Sequence, residues 1–316
     1  MRTVQTTTPL DKDSHTSTNL KRTTRALPSS AKMEGCLPGT TEDGEKRHVI
    51  TFGGRGSTLG KFSRLCGLIF SCRNEIFVAD HDNSRVQAFN IKGVYIRHFL
   101  TTVPGKAGST IFPEGLSVDG NENLWVVGNA KFSSYVVQYN NEGRALSKFV
   151  VPWSQRVRSI AVDTKSNHIL VTKRDRVPQE LYIYQPNGSF VRKLENSFSE
   201  SVVVNRAGNI LTTKYNMVHV YNQTGDLLFS FAGHGDSASA LTYPKGICTD
   251  TLGHIFVASR GGVLGNGQVS MFTSRGLFVR HVVTGLGMIT HIAVGEEGQL
   301  VVTDVRDNTV TIYNTY

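Results

Sequence analysis

One short pattern recurs six times between residues 50 and 316. Each copy ends in an apolar/polar alternation closed by an aromatic: VQAFN at Val86–Asn90, VVQYN at Val136–Asn140, LYIYQ at Leu181–Gln185, VHVYN at Val218–Asn222, VSMFT at Val269–Thr273 and VTIYN at Val310–Asn314. The aromatics Phe89, Tyr139, Tyr184, Tyr221, Phe272 and Tyr313 are 50, 45, 37, 51 and 41 residues apart. Alternation with period two marks a strand. Short strands repeating at this interval cannot bury both faces as one isolated sheet, but blades stacked around a ring can. The repeat therefore predicts an all-β fold, a six-bladed β-propeller of four-stranded antiparallel blades.

The rest of each copy fits that reading. A first strand ends in a small-then-apolar step, as in Gly115-Leu116-Ser117-Val118-Asp119 and Gly246-Ile247-Cys248-Thr249-Asp250. A tight turn leads to a nearly all-apolar second strand, such as IFVAD at Ile76–Asp80 or LVVTD at Leu300–Asp304. After the aromatic strand comes a turn glycine (Gly93, Gly143, Gly188, Gly225 or Gly276) and a fourth strand such as Tyr95–Phe99 or Leu277–Val282. The last copy stops at Tyr316 without its fourth strand. A matching segment stands at the other end, His48-Val49-Ile50-Thr51-Phe52. It is expected to complete the final blade and so remove the exposed strand edges of an open ring.

Residues 1–47 have another character. Twelve of the first 30 residues are Ser or Thr. A segment so poor in apolar residues reads as a disordered linker, which leaves 48–316 as the propeller domain. Of the net charge of +9, the linker carries +2 and the propeller +7. No run of 18 apolar residues exists in the sequence, so no transmembrane helix is expected. The N-terminus has no apolar signal segment. Cys36, Cys66, Cys72 and Cys248 show no paired spacing and read as reduced thiols of a cytoplasmic protein. The sequons at Asn187–Ser189 and Asn222–Thr224 fall at hairpin turns and read as turn residues.

These segments resemble the NHL repeat, whose form runs Pro-x-Gly-hydrophobic, Asp, an IFVAD-like strand and Arg-Val-Gln-x-Phe. The first copy has the last two at Ile76–Asp80 and Arg85–Phe89, and the fifth has Pro244-x-Gly246-Ile247 and Asp250. The resemblance covers Val49 to Tyr316, about 85% of the chain, and includes a Thr51-Phe52-Gly53 lead-in. It extends to the C-terminal propeller of TRIM-NHL proteins. That family implies recognition of RNA or of protein partners by the propeller, with ubiquitin transfer performed by an upstream RING and B-box. Such domains need zinc-spaced Cys/His clusters, and residues 1–47 contain one cysteine, Cys36. No ligase activity, and no catalysis of any kind, is expected of this sequence itself. The expected partner is RNA or a protein substrate of a ubiquitin-dependent or post-transcriptional pathway. No cofactor, membrane or small-molecule substrate is expected, and the propeller is expected to be a monomer.

Strands in a blade alternate direction, so loops joining second to third strands emerge at the same end as loops between blades. Charges assigned to that long-loop end number 15 basic and 10 acidic, against 11 and 9 elsewhere in the propeller. A basic end suits an anionic partner, and the face agrees with the one NHL propellers use for RNA. Lys173, Arg174, Lys214 and Tyr215 are its densest part, followed by Lys131, Arg260 and Arg306. Arg85, Tyr135, Arg158 and Lys245 complete the candidate set, with Phe132 as a further ring. A ring among cations can stack an unpaired base.

The alternatives are a metal-dependent propeller hydrolase or lyase working in the central channel, and a pure protein scaffold. Counting back from the turns places Cys66, Glu114, Arg158, Glu200, Lys245 and Thr290 in one ring lining the channel. Two acids and two bases there are expected to pair with each other rather than hold a metal. The next ring, Gly67, Gly115, Ser159, Ser201, Gly246 and His291, is small except for its histidine. Zinc would need two or three histidines, and no HxH, HExxH or GxSxG motif occurs. Cys66 reads as a small apolar filler. Asp119, Asp163 and Asp250, at tight turns, are expected to cap backbone amides.

Overall fold

The computed structural model describes residues 48–106, 108–152, 156–173, 180–194, 200–232, 240–260 and 266–316. The linker assigned to residues 1–47 and the candidate Arg174 lie outside the described residues. Within them the fold is all-β, with 24 strands in six four-stranded antiparallel sheets.

The first blade is β2 (Leu65–Phe70), β3 (Glu75–Asp80), β4 (Arg85–Asn90) and β5 (Tyr95–Leu100). The second is β6 (Phe112–Val118), β7 (Leu124–Asn129), β8 (Ser134–Tyr139) and β9 (Ala145–Val151). The third is β10 (Val157–Asp163), β11 (His168–Lys173), β12 (Glu180–Tyr184) and β13 (Phe190–Leu194). The fourth is β14 (Val202–Val204), β15 (Ile210–Lys214), β16 (Met217–Tyr221) and β17 (Leu227–Phe231). The fifth is β18 (Pro244–Thr249), β19 (Ile255–Ser259), β20 (Gly267–Phe272) and β21 (Phe278–Leu286). The sixth is β22 (Ile289–Val294), β23 (Leu300–Asp304), β24 (Thr309–Tyr313) and β1 (Val49–Gly53).

The N-terminal strand β1 thus completes the last blade, in register Val49↔Tyr313 to Gly53↔Thr309. Inner strands contact one another in the cycle β2, β6, β10, β14, β18, β22 and back to β2. The second strands are almost wholly buried, because each lies between two neighbours of its own sheet and is covered on both faces by adjacent blades. Their continuous apolar runs follow from that two-sided burial.

The repeated aromatic carries the blade-to-blade contact. Phe52, Phe99, Phe149 and Phe231, on the outer strands, pack against Phe89, Tyr139, Tyr184 and Phe272 of the following blade at centroid distances of 4.6, 4.9, 5.4 and 4.9 Å. The turn glycine of the following blade closes over the same ring. A Cβ built on Gly143, which has φ +86, would stand 2.2 Å from Phe99. Gly93 stands in the same way over Phe52, so β1 supplies the blade contact that the last repeat lacks.

The turn aspartates cap backbone amides as expected. Asp119 Oδ1 accepts from Asn121 N and Asn123 N, both at 2.9 Å. Asp250 Oδ1 accepts from Leu252 N at 2.9 Å and His254 N at 2.8 Å, and Asp163 Oδ1 from Lys165 N at 3.0 Å. Asn187 and Asn222 accept backbone N–H groups in their own hairpins in the same manner.

Candidate recognition face

The IFVAD–RVQ motif of the first blade builds a brace. Asp80 is fully buried and accepts from Ser63 N at 2.7 Å, Asn83 Nδ2 at 2.9 Å, Arg85 Nε at 2.7 Å and Gln87 Nε2 at 3.2 Å. The Arg85 guanidinium also donates to the carbonyls of Thr58 and Lys61, each at 2.9 Å. This knits the lead-in segment to the loop after β3. Arg85 therefore leaves the candidate binding set: its fork is spent on internal acceptors, and its side chain is buried.

Three other candidates change role. Lys173, 5% exposed, turns its ammonium inward, donating to Pro152 O at 2.9 Å over the Tyr182 ring at 3.7 Å. A cation held that way is not presented to a phosphate. Tyr135 is 3% exposed, and its hydroxyl accepts from Lys106 Nζ at 2.6 Å. That hydrogen bond holds the phenol below its ordinary pKa, and the buried ring cannot stack a base. Lys245 is ion-paired with Glu200 across neighbouring inner strands.

Five of the candidates do stand on the surface of the long-loop end. Lys131, Arg260 and Arg306 are exposed, and Lys214 is half-buried with its ammonium 5.8 Å from the Tyr215 ring. Tyr215 is 72% exposed. Beside Lys131, Phe132 is 78% exposed, with the ammonium 5.1 Å from its ring.

The structure adds a residue the sequence reading missed. Tyr243, in the connection entering the fifth blade, is 65% exposed. Its N–H donates to Asn216 Oδ1 at 3.3 Å and its carbonyl accepts from Arg260 N at 3.4 Å. Lys214, Tyr215, Tyr243 and Arg260 therefore form one sector where the fourth and fifth blades meet. Both tyrosines adopt left-handed backbone, with φ of +51 and +49. A bulky residue there costs about 1–3 kcal/mol, and an exposed ring regains little of it by burial. The sequence signal available was the Tyr243-Pro244 step, which marks a blade entry but not an exposed ring.

The channel ring behaves in part as anticipated. Lys245 pairs with Glu200, and Arg64 with Glu114 at 3.3 Å. Glu114 also faces His81 Nε2 at 3.3 Å and accepts from Asn129 Nδ2 at 3.2 Å. Burial opposes ionisation of Glu114, yet His81, Arg64 and Arg158 together hold its carboxyl below the usual range. Cys66 is 3.7 Å from that carboxylate, and burial pushes its thiol up to about 12. A thiol so disposed is protonated and a poor nucleophile. Cys66, Cys72 and Cys248 are free cysteines. Among the described residues no group of three or more His, Cys, Asp or Glu side chains stands together as a metal-holding set. Nor is any helix there long and apolar enough to cross a membrane.

No family model matches the sequence. Protein brain tumor of Drosophila melanogaster is 28% identical over 143 residues, which are 45% of this chain and 13% of that protein. Human NHL-repeat-containing protein 4 is 34% identical over 70 residues, 22% of this chain and 54% of that protein. The matches thus span about half of one relative and a small part of the other. Among solved structures, a Bacteroides thetaiotaomicron protein of unknown function aligns with a TM-score of 0.63, covering 85% of this chain and 76% of its own at 12% identity. Virginiamycin B lyase of Staphylococcus aureus aligns at 0.56, covering 85% and 96% at 11% identity. A gluconolactonase of Xanthomonas campestris aligns at 0.58, covering 80% and 86% at 12% identity. At these identities the structural likeness establishes the fold alone. Together with the repeat motifs, these findings identify an NHL-like six-bladed β-propeller.

Proposed function

We propose that the chain is a recognition module without chemistry of its own, of the TRIM-NHL kind. It takes single-stranded RNA or a protein partner on the long-loop face, where the fourth and fifth blades meet. The observation that carries this reading is the pair of exposed rings, Tyr215 and Tyr243, held in left-handed backbone beside Lys214 and Arg260. Strain of that kind concentrates at binding sites. Rings next to cations suit an unpaired base and its phosphate, and each stacked base contributes roughly 1–3 kcal/mol. The family resemblance supports the same face. Ubiquitin transfer, in such an arrangement, belongs to another region or polypeptide.

The test is fluorescence anisotropy with an oligoribonucleotide enriched by the protein from a random pool, across a salt series. Replacing Tyr215 and Tyr243 by Ala is expected to weaken binding by about tenfold or more. Replacing Lys214 and Arg260 by Ala is expected to flatten the salt dependence, by about 0.7 in log–log slope per lost phosphate contact. Unchanged affinity in the tyrosine variant would remove this sector as the site. If no RNA is enriched and the tyrosine variant instead loses a protein partner, the partner is a protein. The lyase and gluconolactonase sharing the fold favour a second reading, catalysis in the channel, which turnover of a lactone would establish.

A further inference from the structure

The six inner strands enclose a central cavity of about 400 Å³, open toward the short-hairpin end. Its size suits a small organic or inorganic ligand. Ser159, Ser201, Arg158 and His291 line its deep part. Arg158 is the unusual one. Its charge acts on Cys66 in the first blade, Glu114 in the second and His291 in the sixth. Those groups belong to three other blades, and Arg158 itself lines the channel. Its carboxylate neighbour Glu114 is already engaged by Arg64, His81 and Asn129. Among the described residues no acceptor lies within hydrogen-bonding or ion-pairing distance of the Arg158 side chain. A guanidinium offers five N–H donors in a planar fork, and partly buried donors of this kind are ordinarily matched.

His291 adds a second polar group. Its Nδ1 is 3.0 Å from the Thr290 hydroxyl. Burial lowers its pKa to about 4, so the ring is neutral at physiological pH. Thr303 Oγ1 donates to His291 O at 3.3 Å and Thr290 Oγ1 stands 3.2 Å from Thr303 Oγ1, so the hydroxyls and the imidazole form one linked polar group. Ser159 on β10 and Ser201 just before β14 line the cavity, and Ser159 Oγ accepts from Val202 N at 3.3 Å, which leaves its own O–H to donate. The channel thus gathers a forked cation and neutral polar groups around space.

We propose that the central channel is a binding site for a small oxyanion, a carboxylate or a phosphate, held by the Arg158 fork. This site is separate from the recognition face and does not depend on it. Arginine binds such groups through two parallel N–H···O bonds. The ligand enters from the short-hairpin end.

The test is isothermal titration calorimetry of the full chain with inorganic phosphate and with acetate, at constant ionic strength set by sodium chloride. Saturable one-site binding of at least one anion is expected; the acetate and phosphate arms distinguish a carboxyl from a phosphoryl ligand. Arg158→Gln is expected to weaken it about tenfold or more. Arg158→Lys keeps the charge but loses the fork, and is expected to weaken it several-fold. Thermal melting of each variant reports that it is folded. A variant with the exposed rim cations Lys131 and Arg306 replaced by Ala is expected to bind the anion as the parent does. Absence of saturable binding by both anions, or binding that survives in both Arg158 variants, overturns the proposal. So does equal loss in the rim variant, which would mark diffuse attraction to a basic surface.

Discussion

At the scale of single residues, two kinds of tyrosine and two kinds of lysine separate. Tyr135 and Lys173 are buried and satisfied internally, whereas Tyr215, Tyr243 and Lys131 face solvent. Sequence offers no way to sort them, since each sits at a strand end among polar residues. What sorts them is the partner each meets: a proline carbonyl and a ring face for Lys173, the donating Lys106 ammonium for Tyr135. Titration also belongs to this scale. Burial holds His291 neutral down to about pH 4, against an ordinary value of 6.5, and lowers His219 in the same direction. A depressed histidine pKa means the unfolded chain takes up the proton first. Its contribution to stability is intact above pH 6.5 and is lost as pH falls toward 4. For His291 the loss by pH 5 is at most about 2 kcal/mol. His291→Gln is therefore expected to narrow the gap between melting temperatures at pH 7 and pH 5. A gap as wide as in the parent would mean that this ring is solvated in the channel.

The strand and turn level is where the repeat explains itself. In four of the six blades the closing aromatic receives the outer-strand ring of the preceding blade, and a hairpin glycine closes over the pair. Gly143→Ala places a methyl 2.2 Å from Phe99 and forces φ +86 on a residue with a Cβ. It is expected to destabilise the propeller by about 1–3 kcal/mol, read as a lower denaturant midpoint at unchanged slope. A midpoint like the parent's would show that the latch is not under tension. These elements were legible because strand period, turn glycine and aromatic position are local signals. The rim was legible only as a set of loops. Which cation on it is free depends on partners many residues away, such as Thr58 and Lys61 for Arg85. The exposed Tyr243 ring, likewise, is positioned by Asn216 of the preceding blade.

For the whole molecule, ring closure sets what the two ends can do. With β1 zipped onto β24, loops from distant parts of the chain share one rim, and six inner strands enclose one channel. The long-loop end carries exposed rings and cations; the short-hairpin end gives access to the cavity with Arg158 at its depth. In our proposal the two ends therefore serve separate ligands. The most direct measurement of the central claim is hydrogen exchange by mass spectrometry, with and without the RNA that the protein enriches from a random pool. Our account predicts slowed exchange over residues 214–217, 243–246 and around 260. Protection confined to the short hairpins, or no protection anywhere on the rim in the presence of saturating RNA, would contradict it.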